Sequence, residues 1–384
     1  MSSAGADQSA RIEDYLFGKL LPLLAERSWD HARSGFHEQL EADHSPSALG
    51  YRRLTVLGRQ LFVFSEAARR TGTKHYAEIA HRAYDYLIER FWDDRFGGFF
   101  FKVDLGGSSL DTKKDLYGQA FAMFGLAHYH RAFARRDALE RAGECSRLLK
   151  RHLLLPAGWL ASGASREWRV SGKELNQNPH MHLLEAYVAL EAASGDTGFG
   201  EDARAIVALF LERLFDQASG TLGEFFDERG QPHARKGARL EPGHHFEWHW
   251  LLNEGSRLWS DARTLAAAER LFDWAERSGV DEDKGGVYDV VDRVGAVLED
   301  SKRIWPQAER IKAHAARSRR EPSRHNRARL ATLVDFLFDR YLLADGGWHE
   351  GLTRALAPNA TALPSTTPYH IFLALSEALK ALAT

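Results

Sequence analysis

Asn178-Pro179-His180-Met181-His182, Pro242-Gly243-His244, Trp305-Pro306-Gln307 and Thr367-Pro368-Tyr369-His370 each set a proline just ahead of an imidazole or an amide. Intervals of 62, 63 and 63 residues separate His182, His244, Gln307 and His370. Proline is favoured in the first turn of a helix, where its missing N–H would be unpaired anyway. Each segment therefore predicts a helix start carrying a polar side chain in its first turn. The same interval counted backwards reaches Tyr117-Gly118-Gln119 and then Gly58-Arg59-Gln60, so six periods offer six polar positions around one pocket.

A second repeat keeps step with the first. A glycine followed closely by a bulky apolar residue recurs at Gly35-Phe36, Gly98-Phe99, Gly158-Trp159, Gly220-Thr221-Leu222, Gly286-Val287 and Gly347-Trp348. Aspartates shortly before several of them, such as Asp93, Asp216 and Asp345, predict tight turns with glycine at positive φ. Between the turns, stretches such as Tyr76 to Phe91 and Ala203 to Phe215 place apolar residues at helical spacing. Six units of two helices and a turn predict an all-α fold, the (α/α)6 barrel, as one catalytic domain spanning residues 1–384. An open solenoid of the same unit is the alternative.

Composition excludes several classes. Net charge is −2, hydrophobic residues make up 44% and charged residues 27%, so neither a nucleic-acid partner nor a membrane surface is expected. No apolar run approaches the length of a membrane span, and Met1 to Ala10 lacks the basic-then-apolar order of a secretion signal. The lone Cys145 fits a reducing compartment, and the expectation is a cytoplasmic monomer or homodimer. A basic stretch from Lys312 to Arg329 contains Glu321-Pro322-Ser323 and reads as a solvated loop and helix start.

His182 with Glu185 and His244 with Glu247 share the i,i+3 spacing that puts each imidazole beside a carboxylate on one helix face. A helix N-terminus disfavours the imidazolium and competes with that carboxylate, so a neutral base is the expectation. Arg59 stands in the apolar run Thr55 to Phe62, where a permanent charge needs a polar or anionic partner; the alternatives are substrate oxygen and a buried glutamate. His244, His245 and His249 do not share one face, and no HExxH, paired-cysteine, phosphate-loop or dinucleotide pattern is present, so neither metal nor cofactor is expected. Proton transfer by histidine is the simplest chemistry. An (α/α)6 glycoside hydrolase would need two carboxylates across the pocket. A helical-repeat binding module would leave the helix-start histidines unexplained.

The segments Gly58-Arg59-Gln60, Asp115 to Phe121, Asn178 to Ala186, Pro242 to Trp248, Trp305 to Glu309 and Tyr369-His370 resemble the N-acylglucosamine 2-epimerase superfamily. That superfamily includes cellobiose 2-epimerases and aldose–ketose isomerases. The resemblance implies an (α/α)6 barrel and cofactor-independent proton transfer at C2 of an aldose. It implies that His244 and His370 are the acid–base pair, that His182 assists ring opening, that Arg59 holds substrate oxygens and that Glu247 orients His244. Tyr117, Gln119, Asn178, Trp305, Gln307, Glu309 and Trp248 become the expected monosaccharide contacts. Trp248, directly after the motif glutamate, resembles the mannose isomerase branch, making mannose–fructose isomerisation the expected reaction and 2-epimerisation the alternative.

Overall fold

The computed structural model describes residues 3–170, 172, 174–259 and 261–383, with side chains from residue 7 on; Met1 and Ser2 of the N-terminal segment lie outside them. Six helices form an inner ring: α2 (Leu54–Thr71), α4 (Leu116–Phe133), α6 (Gln177–Ser194), α8 (Pro242–Glu254), α10 (Ile304–Arg320) and α12 (Thr367–Ala383). Each packs on its two ring neighbours, and α12 returns to α2. Five inner helices are followed at once by their outer partners: α3 (Lys74–Tyr86), α5 (Arg136–Leu153), α7 (Thr197–Leu209), α9 (Ala262–Ser278) and α11 (Arg324–Arg340). The sixth hairpin joins the chain ends, because α1 (Ser3–Tyr15, running on helically to Ser28) packs on α12.

Closure is also laced through the loops. A short strand just before an inner helix pairs antiparallel with the strand after the following glycine turn: Tyr51–Arg53 with Lys102–Asp104, Lys114–Asp115 with Gly163–Ala164, Leu175–Asn176 with Phe225–Phe226, Lys302–Arg303 with Gly351–Leu352. Leu240 and Val291 make the equivalent bridge. The last pair, Leu363–Pro364 with Gln39–Leu40, ties the sixth repeat to the first, as a closed ring requires and an open solenoid does not.

The turns behave as their sequence predicts, with one shift. Gly35, Gly98, Gly158, Gly220 and Gly286 have φ between 70° and 87°, but in the sixth repeat Gly346, not Gly347, takes the positive φ. Three turns are anchored by a cation from the strand that follows. Arg52 Nη2 reaches Asp30 Oδ2 at 2.6 Å, Lys114 Nζ reaches Asp93 at 3.0 Å and Lys302 Nζ reaches Asp281 at 2.8 Å.

Where α2 crosses α4, a Cβ on Gly58 would stand 2.5 Å from the Phe121 carbonyl oxygen, so only glycine allows this approach. The basic stretch is more ordered than its sequence suggests. Lys312 and Arg317 to Arg320 finish the inner helix α10, the break is confined to residues 321–323, and Arg324 to Arg329 start α11. Among the described residues no helix is long and apolar enough to cross a membrane.

Candidate active site

All six inner helices send a side chain from an N-terminal turn toward one end of the ring: Arg59, Tyr117, His182, His244, Trp305 and His370. These side chains touch in sequence. Arg59 Nη2 donates to the Tyr117 hydroxyl at 2.7 Å, and the Tyr117 ring lies 5.1 Å from the His182 ring. Trp305 bridges the other two imidazoles, 4.9 Å from His244 and 5.9 Å from His370. Arg59, His182, His244 and His370 thus converge as their spacing predicts, each at most 6% exposed.

Every one of the three imidazoles spends Nδ1 on a carboxylate, and none has a hydrogen-bonding protein partner at Nε2 among the described residues. His182 pairs with Glu185 at 3.0 Å through the anticipated i,i+3 contact. His370 pairs with Glu309 of α10 at 2.7 Å. His244 does not use Glu247; its Nδ1 lies 3.1 and 3.0 Å from the two oxygens of Glu224, in the loop after the Gly220 turn. His244 is the third residue of α8, and side chains there lean back past the helix start, toward that loop. Glu247 instead approaches Lys312 on the next inner helix, at 3.8 Å.

A chain of donors holds Glu224. Trp248 Nε1 donates to Gln177 Oε1 at 2.7 Å, and Gln177 Nε2 donates to Glu224 Oε2 at 2.9 Å. Trp248, expected to touch the sugar, is instead fully buried against Phe210 and stands behind this relay.

Three other expected sugar contacts are turned to structural tasks. Gln119 accepts from the Phe99 N–H at 2.9 Å and donates to its carbonyl at 2.7 Å; Gln307 does the same with Val287 at 2.8 and 3.0 Å. His180 and His245 accept from Leu160 and Leu222 in the same way, so these four residues are the true repeat equivalents and pin the glycine turns. Glu309 is fully buried behind His370. Tyr117, Asn178 and Trp305 remain half-buried, and the buried Asn178 Oδ1 has no protein partner among the described residues.

Of the two alternatives for Arg59, the buried glutamate is not what it meets. Its Nη1 donates to the Thr366 carbonyl at 3.1 Å and its Cζ sits 4.2 Å from the Phe121 ring centre, while among the described residues no carboxylate lies within ion-pair distance. It is free to meet anionic oxygen.

The three imidazoles differ in charge. Burial holds His182 down at about 4, against the pull of Glu185. Burial, then Arg59 and Lys312, hold His370 well below the usual range. For His244 burial acts the same way but is outweighed by Glu224, then Glu241 and Glu247, which lift it to about 9. The carboxylates therefore win over the helix N-terminus, and His244 is an imidazolium at neutral pH. Glu247, pushed up to about 8 by burial and then by Glu309, is protonated there.

Ligand atoms of Glu247, Glu309 and His370 lie within 4.8 Å of one another, as do those of Glu224, Glu241 and His244. The first group already encloses the Lys312 ammonium, 2.6 Å from Glu309, and the second contains the imidazolium itself. Both are charge-matched by the chain's own cations.

Sequence reasoning missed Glu224, Gln177 and Lys312. A signal for Glu224 was present: an acidic residue stands two positions after the apolar turn residue at Glu38, Glu224, Asp289 and Glu350. The first three accept from the backbone N–H of Arg53, Glu241 and Arg303, at or beside the start of the next inner helix.

The family profile described as N-acylglucosamine 2-epimerase (GlcNAc 2-epimerase) matches residues 35–374. A cellobiose 2-epimerase of Bacteroides fragilis is 30% identical over 315 residues, covering 78% of this chain and 79% of that protein. A mannose-6-phosphate isomerase of Rhizobium meliloti is 31% identical over 313 residues, covering 80% and 79%. The solved structure of a D-mannose isomerase superposes with a TM-score of 0.88 at 23% identity, covering 97% of each chain. With a helical ring, a cluster of carboxylate-held histidines at one end and a profile match over most of its length, this chain belongs to the N-acylglucosamine 2-epimerase family of sugar epimerases and isomerases.

Proposed function

We propose that the chain is a cofactor-independent aldose–ketose isomerase, acting on D-mannose and D-fructose by proton transfer through a cis-enediolate. The observation that carries this reading is the different protonation of two imidazoles flanking Trp305: neutral His370 and cationic His244. After His182 assists opening of the sugar ring, His370 Nε2 takes the C2 proton. The C–H electron pair becomes the C1–C2 double bond, and the carbonyl electrons move onto O1. The His244 imidazolium and Arg59 meet the negative charge that develops there. His244 hands its proton to O1 and takes the one from O2 while His370 returns its proton to C1, which gives the ketose with a hydroxyl on C1 and a carbonyl at C2.

A second reading, 2-epimerisation, is favoured by the same imidazolium. His244 carries a proton that could be delivered to C2 from the other face. Mannose incubated in D2O separates the two readings. Isomerisation predicts fructose labelled at C1 with little early glucose, and epimerisation predicts C2-labelled glucose as the leading product. Turnover of neither mannose nor mannose 6-phosphate would refute the monosaccharide reading.

A further inference from the structure

Lys312 is the first residue of a basic stretch, yet its side chain is wholly buried in the ring. The ammonium lies 2.6 Å from Glu309 Oε2, 3.8 Å from Glu247 Oε1 and 3.8 Å above the Trp250 ring centre. A buried ammonium is retained only where its charge is matched. Here the match is with the same carboxylate whose other oxygen accepts from His370 Nδ1 at 2.7 Å.

The three imidazole–carboxylate pairs can be ranked by what sits on the far side of the carboxylate. Glu309 carries the Lys312 ammonium, Glu185 carries the Tyr369 hydroxyl at 2.5 Å, and Glu224 carries, among the described residues, the Gln177 amide and a backbone N–H. A carboxylate already neutralised by a fixed cation still accepts the Nδ1–H bond but gives little support to a proton on Nε2.

We propose that Lys312 is a positioning residue for the reaction: its ammonium, held on Glu309, keeps the His370 imidazole uncharged and ready to act as the base. The charged and titratable groups facing His370 are Arg59 from α2, His182 and Glu185 from α6, Glu247 from α8, and Glu309 and Lys312 from α10. Arg59, Lys312 and His182 oppose a proton on His370, and Glu185 favours one. Of the opposing groups Lys312 alone contacts Glu309 among the described residues, so its removal takes the cation from the carboxylate that shares the Nδ1 proton of His370, and the His370–Glu309 pair, whose carboxyl burial already pushes up, holds a further proton more tightly. The inference rests on the proposed proton transfer for its consequence in turnover, but the protonation state of His370 can be read without substrate.

The test replaces Lys312→Met and follows two readouts. NMR titration of the free protein, with the His370 signal assigned by its loss in His370→Asn, is expected to show its pKa raised by about one unit or more. The acid limb of kcat/KM is expected to rise by the same amount, with KM changed less than about threefold at pH 8, where the base is deprotonated in both proteins. The charge-balanced double variant Glu309→Gln/Lys312→Met is expected to return both readouts toward the parent, which a merely structural lysine would not produce. Lys312→Gln carries the same expectation and serves if Lys312→Met does not fold. An unmoved His370 titration in the single variant, or no return in the double variant, overturns the proposal. A shifted titration in a protein that turns over no sugar would instead overturn the proposed function and leave the charge role of Lys312 standing.

Discussion

Glu224 grips His244 Nδ1 with both carboxylate oxygens, at 3.1 and 3.0 Å, from a loop 20 residues upstream, whereas Glu247 on the imidazole's own helix turns to Lys312. The consequence is an imidazolium within the candidate site at neutral pH.

Glu224→Gln removes the nearest charge that stabilises that cation, so the His244 pKa falls from about 9 and the imidazolium is lost at lower pH. The alkaline limb of kcat/KM should move down by about 1–3 units. Glu247→Gln should move it less, because Glu247 is protonated over much of the range. A pH–rate series on both variants checks this, and an equal shift in the two would contradict the assignment.

His370→Asn and His244→Asn keep approximate size and some hydrogen bonding but cannot exchange a proton. In each, kcat should fall by on the order of 10² or more. Sugar binding, followed by calorimetry, should weaken much less. Full activity in both would refute the mechanism.

Thermal stability should decline from pH 7 to pH 9. His244, raised to about 9 when folded from an ordinary 6.5, contributes stability that is complete below 6.5 and is lost as pH rises through 9. Glu247, raised to about 8 when folded, costs stability as pH climbs from 4.5 to 8. Both slopes have the same sign. Glu247→Gln should flatten part of the decline in a Tm-against-pH series.

Trp248→Phe keeps an aromatic ring against Phe210 but leaves Gln177 Oε1 without its donor. Loosened support of Glu224 should lower kcat by roughly threefold to tenfold while leaving KM and the ketose-to-epimer ratio close to the parent. A changed product ratio would show that the indole itself reaches the sugar.

Lys114→Met and Lys302→Met each remove the buried one of two cations on a turn aspartate, leaving Asp93 with Arg166 at 2.9 Å and Asp281 with Arg354 at 3.6 Å. Each should cost about 1–3 kcal/mol of folding stability, since the remaining arginine keeps the carboxylate compensated. Denaturant titration measures the loss. Activity of the folded fraction should persist, since neither lysine approaches the imidazoles.

Much of this protein was determined by its sequence alone. The recurrence of helix-start prolines and glycine turns at about 62-residue intervals dictates six like units, and like units with one apolar face close on one another. The i,i+3 geometry is local, so the contact between His182 and Glu185 could be read directly. What only the tertiary structure decided is which carboxylate serves the other two imidazoles and what charge each carries. Glu224 is separated from His244 by 20 residues and Glu309 from His370 by 61, and Lys312 was indistinguishable from the solvated arginines that follow it. The physical reason is that a pKa sums fields from every element packed around the group, and those elements meet only when the ring closes. Equal histidines at equivalent helix starts therefore become one neutral and one cationic imidazole through neighbours that their own segments do not contain.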